Sequence, residues 1–479
     1  MSDPTRSSPT ENNVTDESME QAAEEQAEQT VAESRRTHHA IWVSGTEERM
    51  PFAESTDEGA QELLPRDEDP ALAMQRGVVV DDDYVVPEHV DDAERQIINM
   101  GPQHPSTHGV LRLHMELEGE MVRRVKPIIG YLHTGMEKTA ETLNYAQGST
   151  NVTRMDYVSP FANELAYSLA VEQLLGVEVP PRASAIRVLM TELNRVASHL
   201  LSSATMGMDV GALSMMIYGW REREVCLDFF EKVTGLRMNH NYIRPGGVAA
   251  DLPDGWTDDV ITLIEMVNGG VDEYEELLNE NPIWLDRTLG VGVLTPEEVK
   301  QFGVTGPVAR ASGVDWDLRK QTPYCGIELY EFDVPLGKHG DAFDRYKMRI
   351  DEIRQSLRIA SQITETIPAG DYRSVDPKVT PPPRARIDES MEALIHHFKL
   401  FTEGINVPPG AAFQAVEGPR GELGCHIVSK GGARPWRMRW RAPSFAAVQA
   451  LPSMMTDSMV ADVIATLAST DPVLGDVDR

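Results

Sequence analysis

The apolar pattern between residues 184 and 234 constrains the fold of this chain more than any other feature. Between residues 184 and 203, apolar side chains recur every three or four positions, at Ile186, Leu189, Leu193, Val196 and Leu200. That spacing places them on one face of an α-helix. Residues 212–234 form a second long helical pattern with apolar residues on several faces, which is typical of a helix at the centre of a bundle.

Strand patterns flank this helical region. Residues 110–118 and 121–127 lie on either side of Gly119 and Glu120, which predicts a β-hairpin. Further short strands are predicted at 412–416, 423–428 and 436–441. We therefore expect an α+β fold, with a central helical bundle and small β elements in its N-terminal and C-terminal parts.

Charge is distributed unevenly along the chain. The formal net charge is −32, and residues 1–95 alone hold 25 Asp and Glu against 7 Arg and no Lys. This balance argues against nucleic-acid binding. Residues 1–75 are too poor in apolar residues to offset the entropy of ordering, so we expect a disordered acidic extension, with a docking arm as the alternative.

A first strand is expected around 75–86. The chain divides into this extension, a β region at 76–130 and a helical domain at 131–479.

The three cysteines provide no framework for a metal centre. Cys226, Cys325 and Cys425 lie about 100 residues apart, and no CxxC pair occurs. The chain therefore lacks the thiolates that an iron–sulfur cluster or a structural zinc needs, and sparse cysteines fit a reducing compartment. Glycine-rich nucleotide-binding motifs and the zinc-protease motif are also missing from the sequence.

Several polar segments leave two interpretations open. Gly101-Pro-Gln-His-Pro-Ser-Thr-His-Gly109 is a stiff loop, because its prolines disfavour helix, and its histidines are either exposed bystanders or site residues. Asp209, which lies between two glycines that interrupt the helical pattern, either enters the interior or caps the next helix. Glu192, Arg195 and His199 form a polar row on the helix predicted between residues 184 and 203. The row is either exposed at the protein surface or paired with polar groups of another helix. Residues 144–160 are expected to be irregular, and a helix over 257–280 is expected to break near Gly269.

Six polar stretches together resemble a known family. They are Gly101–Gly109, Gly130-Tyr-Leu-His-Thr-Gly-Met-Glu-Lys138, Arg154-Met-Asp-Tyr157, His240-Asn-Tyr-Ile-Arg244, Arg441-Ala-Pro-Ser-Phe445 and Gly475-Asp-Val-Asp-Arg479. In collinear order over residues 95–479, they closely resemble the 49 kDa (D) subunit of respiratory complex I, the NADH–quinone oxidoreductase.

That family is similar to the large subunit of nickel–iron hydrogenases, in which two CxxC pairs hold the metal centre. The corresponding places in this chain, around residues 134–138 and 471–476, contain no cysteine. Soft metals need thiolates, so hydrogenase activity is excluded. The resemblance implies a hydrogenase-like fold whose former metal cavity holds a quinone headgroup.

The resemblance also implies roles for individual residues. His108 and Tyr157 match the residues that hydrogen-bond the quinone, and Asp209 matches the carboxylate that pairs with the histidine. Arg154 and His240 match residues that lie against a 4Fe–4S cluster in the neighbouring B subunit, and His104 is expected near the same cluster. Quinone is then the substrate, this chain binds no cofactor of its own, and NADH and FMN belong to other subunits.

The implied whole is a proton-translocating enzyme, held peripherally on the cytoplasmic side of the cell inner membrane. Its expected neighbours are the B, C and I subunits and the membrane arm. Two alternatives remain open from the sequence. The chain could belong to a related complex that takes electrons from ferredoxin or another donor, or it could be a purely structural scaffold subunit.

Overall fold

The computed structural model describes residues 95–479, and the segments expected at 1–75 and around 75–86 lie outside the described residues. Three strands come first: β1 (Arg95–Met100), β2 (Arg112–Glu118) and β3 (Met121–Ile128), ordered β1-β2-β3 in one sheet. Strands β2 and β3 form the expected antiparallel hairpin, with Glu118 opposite Met121.

Helices make up most of the chain that follows. In chain order they are α1 (Met136–Ala140), α2 (Tyr145–Val152), α3 (Pro160–Leu175), α4 (Pro181–Val210), α5 (Leu213–Thr234), α6 (Trp256–Leu278), α7 (Pro282–Thr288), α8 (Pro296–Phe302), α9 (Pro307–Ala311), α10 (Leu318–Gln321), α11 (Ala342–Thr366), α12 (Arg384–Ile387), α13 (Met391–Thr402), α14 (Pro443–Met455), α15 (Val460–Thr470) and α16 (Leu474–Val477). The short strands β4 (Ile243–Arg244) and β5 (Gly247–Val248) pair between α5 and α6.

A second three-stranded sheet precedes the last helices. It contains β6 (Gly410–Gly418), β7 (Gly421–Ser429) and β8 (Arg437–Arg441) in that order. In β8, Met438 and Trp440 are buried while Arg437 and Arg439 are exposed, as expected for a half-buried strand. The α+β fold with a central helical bundle and two small β regions is therefore confirmed, whereas the division at residues 75 and 130 stays a prediction.

Helix α4 is the centre of the bundle. It packs against α5 and α11, and the apolar stripe from Ile186 to Leu200 is completely buried. The polar row on the adjoining face is buried too. Arg195 and Arg319 both contact the Glu192 carboxylate, at 3.2 and 3.0 Å, and His199 Nε2 lies 2.9 Å from Glu352 Oε2. Of the two interpretations of this row, pairing between helices is the one observed.

The sequence interpretation of two glycine-containing segments was wrong. Helix α4 continues through Gly207 and ends only at Gly211, whose φ is 109°. A Cβ at Gly207 would lie 2.6 Å from Met215 Cβ, so this glycine permits close packing of two helices. Helix α6 likewise passes unbroken through Gly269 and Gly270. A glycine inside a helix weakens it but does not by itself end it.

Two further expectations need correction. Residues 144–160 are not wholly irregular, because Asn144 and Gln147 form a capping box that begins α2. Helix α5 is not buried on all sides, since Leu213 and Ile217 are 69% and 72% exposed. No helix within residues 95–479 has both the length and the apolar character needed to cross a membrane.

Candidate functional site

The loop before the first hairpin meets the end of α4 at a hydrogen bond. Pro105–Thr107 form a 3₁₀ turn, and the buried Thr107 hydroxyl lies 2.7 Å from the His104 carbonyl oxygen. His108 then adopts a left-handed φ of 51°, which is uncommon for a residue with a side chain. Its Nε2 lies 2.5 Å from Asp209 Oδ2, and the two side chains are only 12% and 5% exposed.

The position of Asp209 rules out the interpretation that it caps the next helix. Asp209 belongs to the last turn of α4 and does not cap α5. The negative end of a helix dipole disfavours a carboxylate at this place. A donor such as the His108 ring N–H compensates for that effect, and a protonated imidazole would compensate more strongly. The fold therefore favours pairing of these two residues although they lie 101 positions apart.

The C-terminal helix α16 connects this pair with Tyr157. A Cβ placed on Gly109, next to His108, would lie 3.4 Å from Leu474 Cγ. A Cβ placed on Gly475, the next residue, would lie 2.3 Å from the Met155 carbonyl oxygen and 2.9 Å from the Tyr157 ring. Consecutive residues of α16 thus contact the His108 loop and the Tyr157 segment. Burial, with a further contribution from Asp156, raises the pKa of the half-buried Tyr157 hydroxyl.

A buried charged cluster lies beside Tyr157. Arg420 Nη1 is 3.3 Å from Asp156 Oδ2, and Arg420 Nη2 is 2.9 Å from Asp471 Oδ2. Arg420 Nη1 also donates to the Ser198 hydroxyl at 2.7 Å. Sequence reasoning assigned no role to these residues. Asp156 could have been identified from the sequence, because it lies inside the Arg154–Tyr157 motif. Its partner Arg420 could not, because their contact depends on the packing of the β6–β7 turn.

The loop at residues 130–137 lies beside Asp478 and Arg479. The Asp478 carboxylate accepts the backbone N–H groups of Gly130 and Leu132, both at 2.8 Å. Arg479 Nε lies 3.4 Å from Glu137 Oε1. These side chains supply hard oxygen and guanidinium groups instead of thiolates, so they do not fit a soft metal. No group of three metal-ligating side chains occurs in the described part of the chain.

His240 occupies a buried site close to the start of α3. Its ring stacks on Phe161 at a centroid distance of 4.1 Å, and its Nε2–H donates to the Arg237 carbonyl oxygen at 3.0 Å. Within residues 95–479, Nδ1 has no hydrogen-bond partner. Because the ring is only 5% exposed, burial lowers the pKa of His240 to about 4. Phe161 follows Tyr157 by four residues, so the two candidate regions share one segment.

Glu164 on α3 fixes the loop that carries His240. Its carboxylate accepts the backbone N–H groups of Asn241, Tyr242 and Ile243 at 2.6, 2.8 and 2.8 Å. Asn241 has a φ of 48°, so these hydrogen bonds hold a conformation that a free loop seldom adopts. Glu164 was also missed from the sequence, because in the pattern it occupies an ordinary helical position.

Two further candidate residues, Arg154 and His104, lie at the surface and take part in hydrogen bonds with nearby backbone groups. Arg154 is exposed and its Nη1 donates to the Thr150 carbonyl oxygen at 3.1 Å. His104 is exposed, and its carbonyl oxygen accepts the Thr107 N–H at 3.1 Å. A cavity of about 360 Å³ is lined by Thr150, Asn241, Arg373 and other residues, and neither these two candidates nor His108 or Tyr157 line it.

Comparison with known proteins gives consistent results. The family model described as respiratory-chain NADH dehydrogenase, 49 kDa subunit, matches residues 209–479. The D 1 subunit of NADH-quinone oxidoreductase from Salinispora arenicola is 53% identical over 404 residues, which cover 81% of this chain and 92% of that protein. The D 2 subunit from a Roseiflexus species is 52% identical, covering 81% of this chain and 94% of the relative.

The corresponding D subunit from Rhodococcus jostii is also 52% identical over 404 residues, covering 81% of this chain and 92% of that protein. Identity at this level over 81% of the chain establishes common descent. The chain therefore belongs to the family of the 49 kDa subunit of respiratory-chain NADH dehydrogenase, whose bacterial members are named D subunits of NADH-quinone oxidoreductase.

Proposed function

We propose that this chain forms the quinone-reduction site of a proton-translocating NADH–quinone oxidoreductase, together with an iron–sulfur B subunit. The observation that carries the proposal is the 2.5 Å contact between His108 and Asp209. It couples a proton donor to a carboxylate in a largely water-excluded place, beside the helix that also touches Tyr157. Shielded proton donors in this arrangement are what quinone chemistry needs.

Reduction of a quinone to a quinol consumes two electrons and two protons, one for each carbonyl oxygen. His108 donates one proton from its imidazolium, and Tyr157 donates the other from its hydroxyl. Histidine and tyrosine are suited to this work because each carries a titratable proton on a ring that packing can orient. Asp209 orients the His108 ring through their 2.5 Å contact.

Proton donation changes the charge balance at Asp209. While His108 is protonated, the pair is neutral and the carboxylate at the end of α4 is compensated. Once the proton has left, Asp209 carries an uncompensated negative charge in a site that is only 5% exposed. Such a charge favours movement of the loop or uptake of another proton. We infer that this step begins the coupling to proton translocation by the membrane arm.

Electrons reach the quinone from a 4Fe–4S cluster of the B subunit. Arg154 is exposed and therefore available to a neighbouring subunit, whereas His240 is buried. The positive charge of Arg154, or a hydrogen bond that involves His240, would raise the potential of a nearby cluster. His104 is placed near that cluster in the same proposal. NADH and FMN belong to other subunits.

The proposal places the chain in a complex with the B, C and I subunits and the membrane arm. The complex is held at the cell inner membrane, with this chain on the cytoplasmic side. The family relationship supports membership in such a complex, since the named relatives are subunits of NADH-quinone oxidoreductase.

Tyr157→Phe in the assembled complex tests the proposal. The change removes only the hydroxyl and keeps the ring that packs on Gly475. NADH oxidation with ferricyanide should stay intact, whereas quinone reduction should fall by about 100-fold or more. Tyr346→Phe is the matched control, because that hydroxyl is buried and has no partner within residues 95–479. Quinone turnover at the wild-type rate in Tyr157→Phe would contradict the proposed function.

A further inference from the structure

The cavity of about 360 Å³ contains positive charge and lacks acidic residues. Arg244 and Arg373 both line it, and none of the residues that line it is an aspartate or a glutamate. Its volume falls within the range of small-molecule sites, which begins at about 300 Å³. A cavity lined by two guanidinium groups and no carboxylate favours an anionic ligand.

Backbone pairing places the two arginines on either side of one glycine. Arg244 pairs with Gly247 in the β4–β5 hairpin, and Gly247 is also bridged to Arg373 on the segment after α11. A Cβ on Gly247 would lie 2.7 Å from Arg373 Cα, so a glycine is needed for the two segments to approach this closely. The sheet therefore fixes the backbones of both arginines at the edge of the same cavity.

Neither guanidinium is neutralised by a carboxylate of its own within residues 95–479. Arg244 Nε donates to the Asn241 carbonyl oxygen at 2.9 Å. Arg373 Nη2 donates to the hydroxyl of its neighbour Tyr372. The carboxylate that acts on Arg244 is that of Glu164, which already accepts three backbone N–H groups. The like charges of the two arginines repel each other, so an anion between them would stabilise both.

A buried hydroxyl provides a third donor. Thr380 lines the same cavity and is only 9% exposed, and its Oγ1 has no hydrogen-bond partner within residues 95–479. A buried hydroxyl without a partner costs free energy, which a bound acceptor would recover. A phosphate monoester carries about two negative charges and three acceptor oxygens. Two guanidinium groups and one hydroxyl match that group better than they match the two oxygens of a carboxylate.

Apolar side chains form much of the remaining wall. They are Val248, Val379, Leu400, Phe401 and Ile405. Three of them are buried, whereas Phe401 is 69% exposed and is therefore available to a ligand. An apolar group attached to the phosphate would remove these surfaces from water.

We propose that this cavity binds a phosphate monoester that carries an apolar group, supplied either by a lipid phosphate or by a soluble organic phosphate. Arg244 and Arg373 bind the phosphate oxygens from either side of Gly247, and the Thr380 hydroxyl donates to the same group. The apolar group packs against Phe401 and its apolar neighbours. Neither His108 nor Tyr157 lines the cavity, so the site is separate from the proposed quinone site.

Equilibrium dialysis of the purified, assembled complex tests the proposal, after dialysis at high salt has removed bound anions. Radiolabelled phenyl phosphate represents the soluble source, and dioctanoyl phosphatidic acid below its micelle concentration represents the lipid source. At least one probe should bind saturably, with one molecule per complex, and the probe that binds more tightly identifies the source. Arg373→Gln should weaken this binding by about tenfold or more, because it removes a charge-assisted contact.

Thr380→Val is the second variant, because it removes only the hydroxyl without a partner and keeps the size of the side chain. It should also weaken binding, and it decides the matter if Arg373→Gln does not assemble. Arg439→Gln is the matched control, because it removes an exposed arginine that does not line the cavity. It should bind both probes as the wild type does.

Three results would overturn the inference. They are the absence of saturable binding for both probes, wild-type affinity in the deciding variant, and an equal loss of affinity in Arg439→Gln. The first is expected if a side chain of a neighbouring subunit fills the cavity in the complex. Probe binding is measured without quinone turnover, so these results leave the function proposed for Tyr157 unaffected.

Discussion

Gly475→Ala probes the contact between α16 and the Tyr157 segment with a single methyl group. Gly475 lies inside α16, so its backbone conformation is open to alanine. The added Cβ would, however, lie 2.3 Å from the Met155 carbonyl oxygen and 2.9 Å from the Tyr157 ring. The first of these atoms belongs to the backbone, so it cannot move aside as the end of a flexible side chain would.

The size of the effect follows from these distances. An ordinary contact begins at 3.4 Å, so α16 and the 155–157 segment must separate by about 1 Å. Alanine gains roughly 0.5–1 kcal/mol over glycine inside a helix, but overpacking costs about 1–3 kcal/mol, so the overlap dominates. A displacement of about 1 Å at a reacting group reduces turnover by about 100-fold.

Activity of the assembled complex provides the assay. NADH–ferricyanide activity should remain, and quinone reduction should fall by about 100-fold. Gly269→Ala is the matched control, because it adds the same methyl group to an exposed helical position with nothing within 4 Å. Wild-type quinone turnover in Gly475→Ala would refute the close packing of α16 on Tyr157 as a requirement for activity.

Three further predictions concern the scaffold around the site. In Glu164→Gln, at least one of the three backbone N–H groups faces the side-chain NH₂ group, which cannot accept its hydrogen bond. Hydrogen exchange at residues 241–243 should therefore accelerate about tenfold or more. Unchanged exchange would contradict the proposal that Glu164 holds this loop in place. His240 must stay neutral in the fold, since burial lowers its pKa to about 4 from an ordinary 6.5; its stabilising contribution is complete above pH 6.5 and is lost as the pH falls through about 4. That loss amounts to about 3 kcal/mol, and it should vanish in His240→Phe when loop protection is followed by hydrogen exchange during acidification. Gly270→Ala should destabilise α6 by about 1–3 kcal/mol in thermal unfolding, because its Cβ would lie 2.7 Å from the Glu222 side chain, whereas Gly269→Ala should not.

Local rules predicted much of the secondary structure. The apolar stripe of α4, the hairpin around Gly119 and the half-buried strand β8 all follow from periodicity. Capping rules would also have found α2, since Asn144 and Gln147 are three residues apart, as a capping box requires. Two of the errors arose at glycines. Gly207 and Gly270 read as interruptions, yet both allow close packing within continuous helices.

Long-range electrostatics was not accessible to local rules. The pairing of His108 with Asp209 spans 101 residues, and only the family resemblance suggested it. Burial of His199 against Glu352 depends on the packing of α4 on α11, because a polar row on a helix looks the same whether it faces water or a partner. Arg420 reaches Asp156 only because the β6–β7 turn enters the core.

Photo-labelling with an azido-quinone tests the central claim most directly. The reagent is applied to the assembled complex, and the labelled peptides are identified by mass spectrometry. The account predicts labelling of the peptides that contain His108 and Tyr157, with competition by unmodified quinone. Labelling confined to other subunits, with neither of these peptides modified, would contradict a quinone site in this chain.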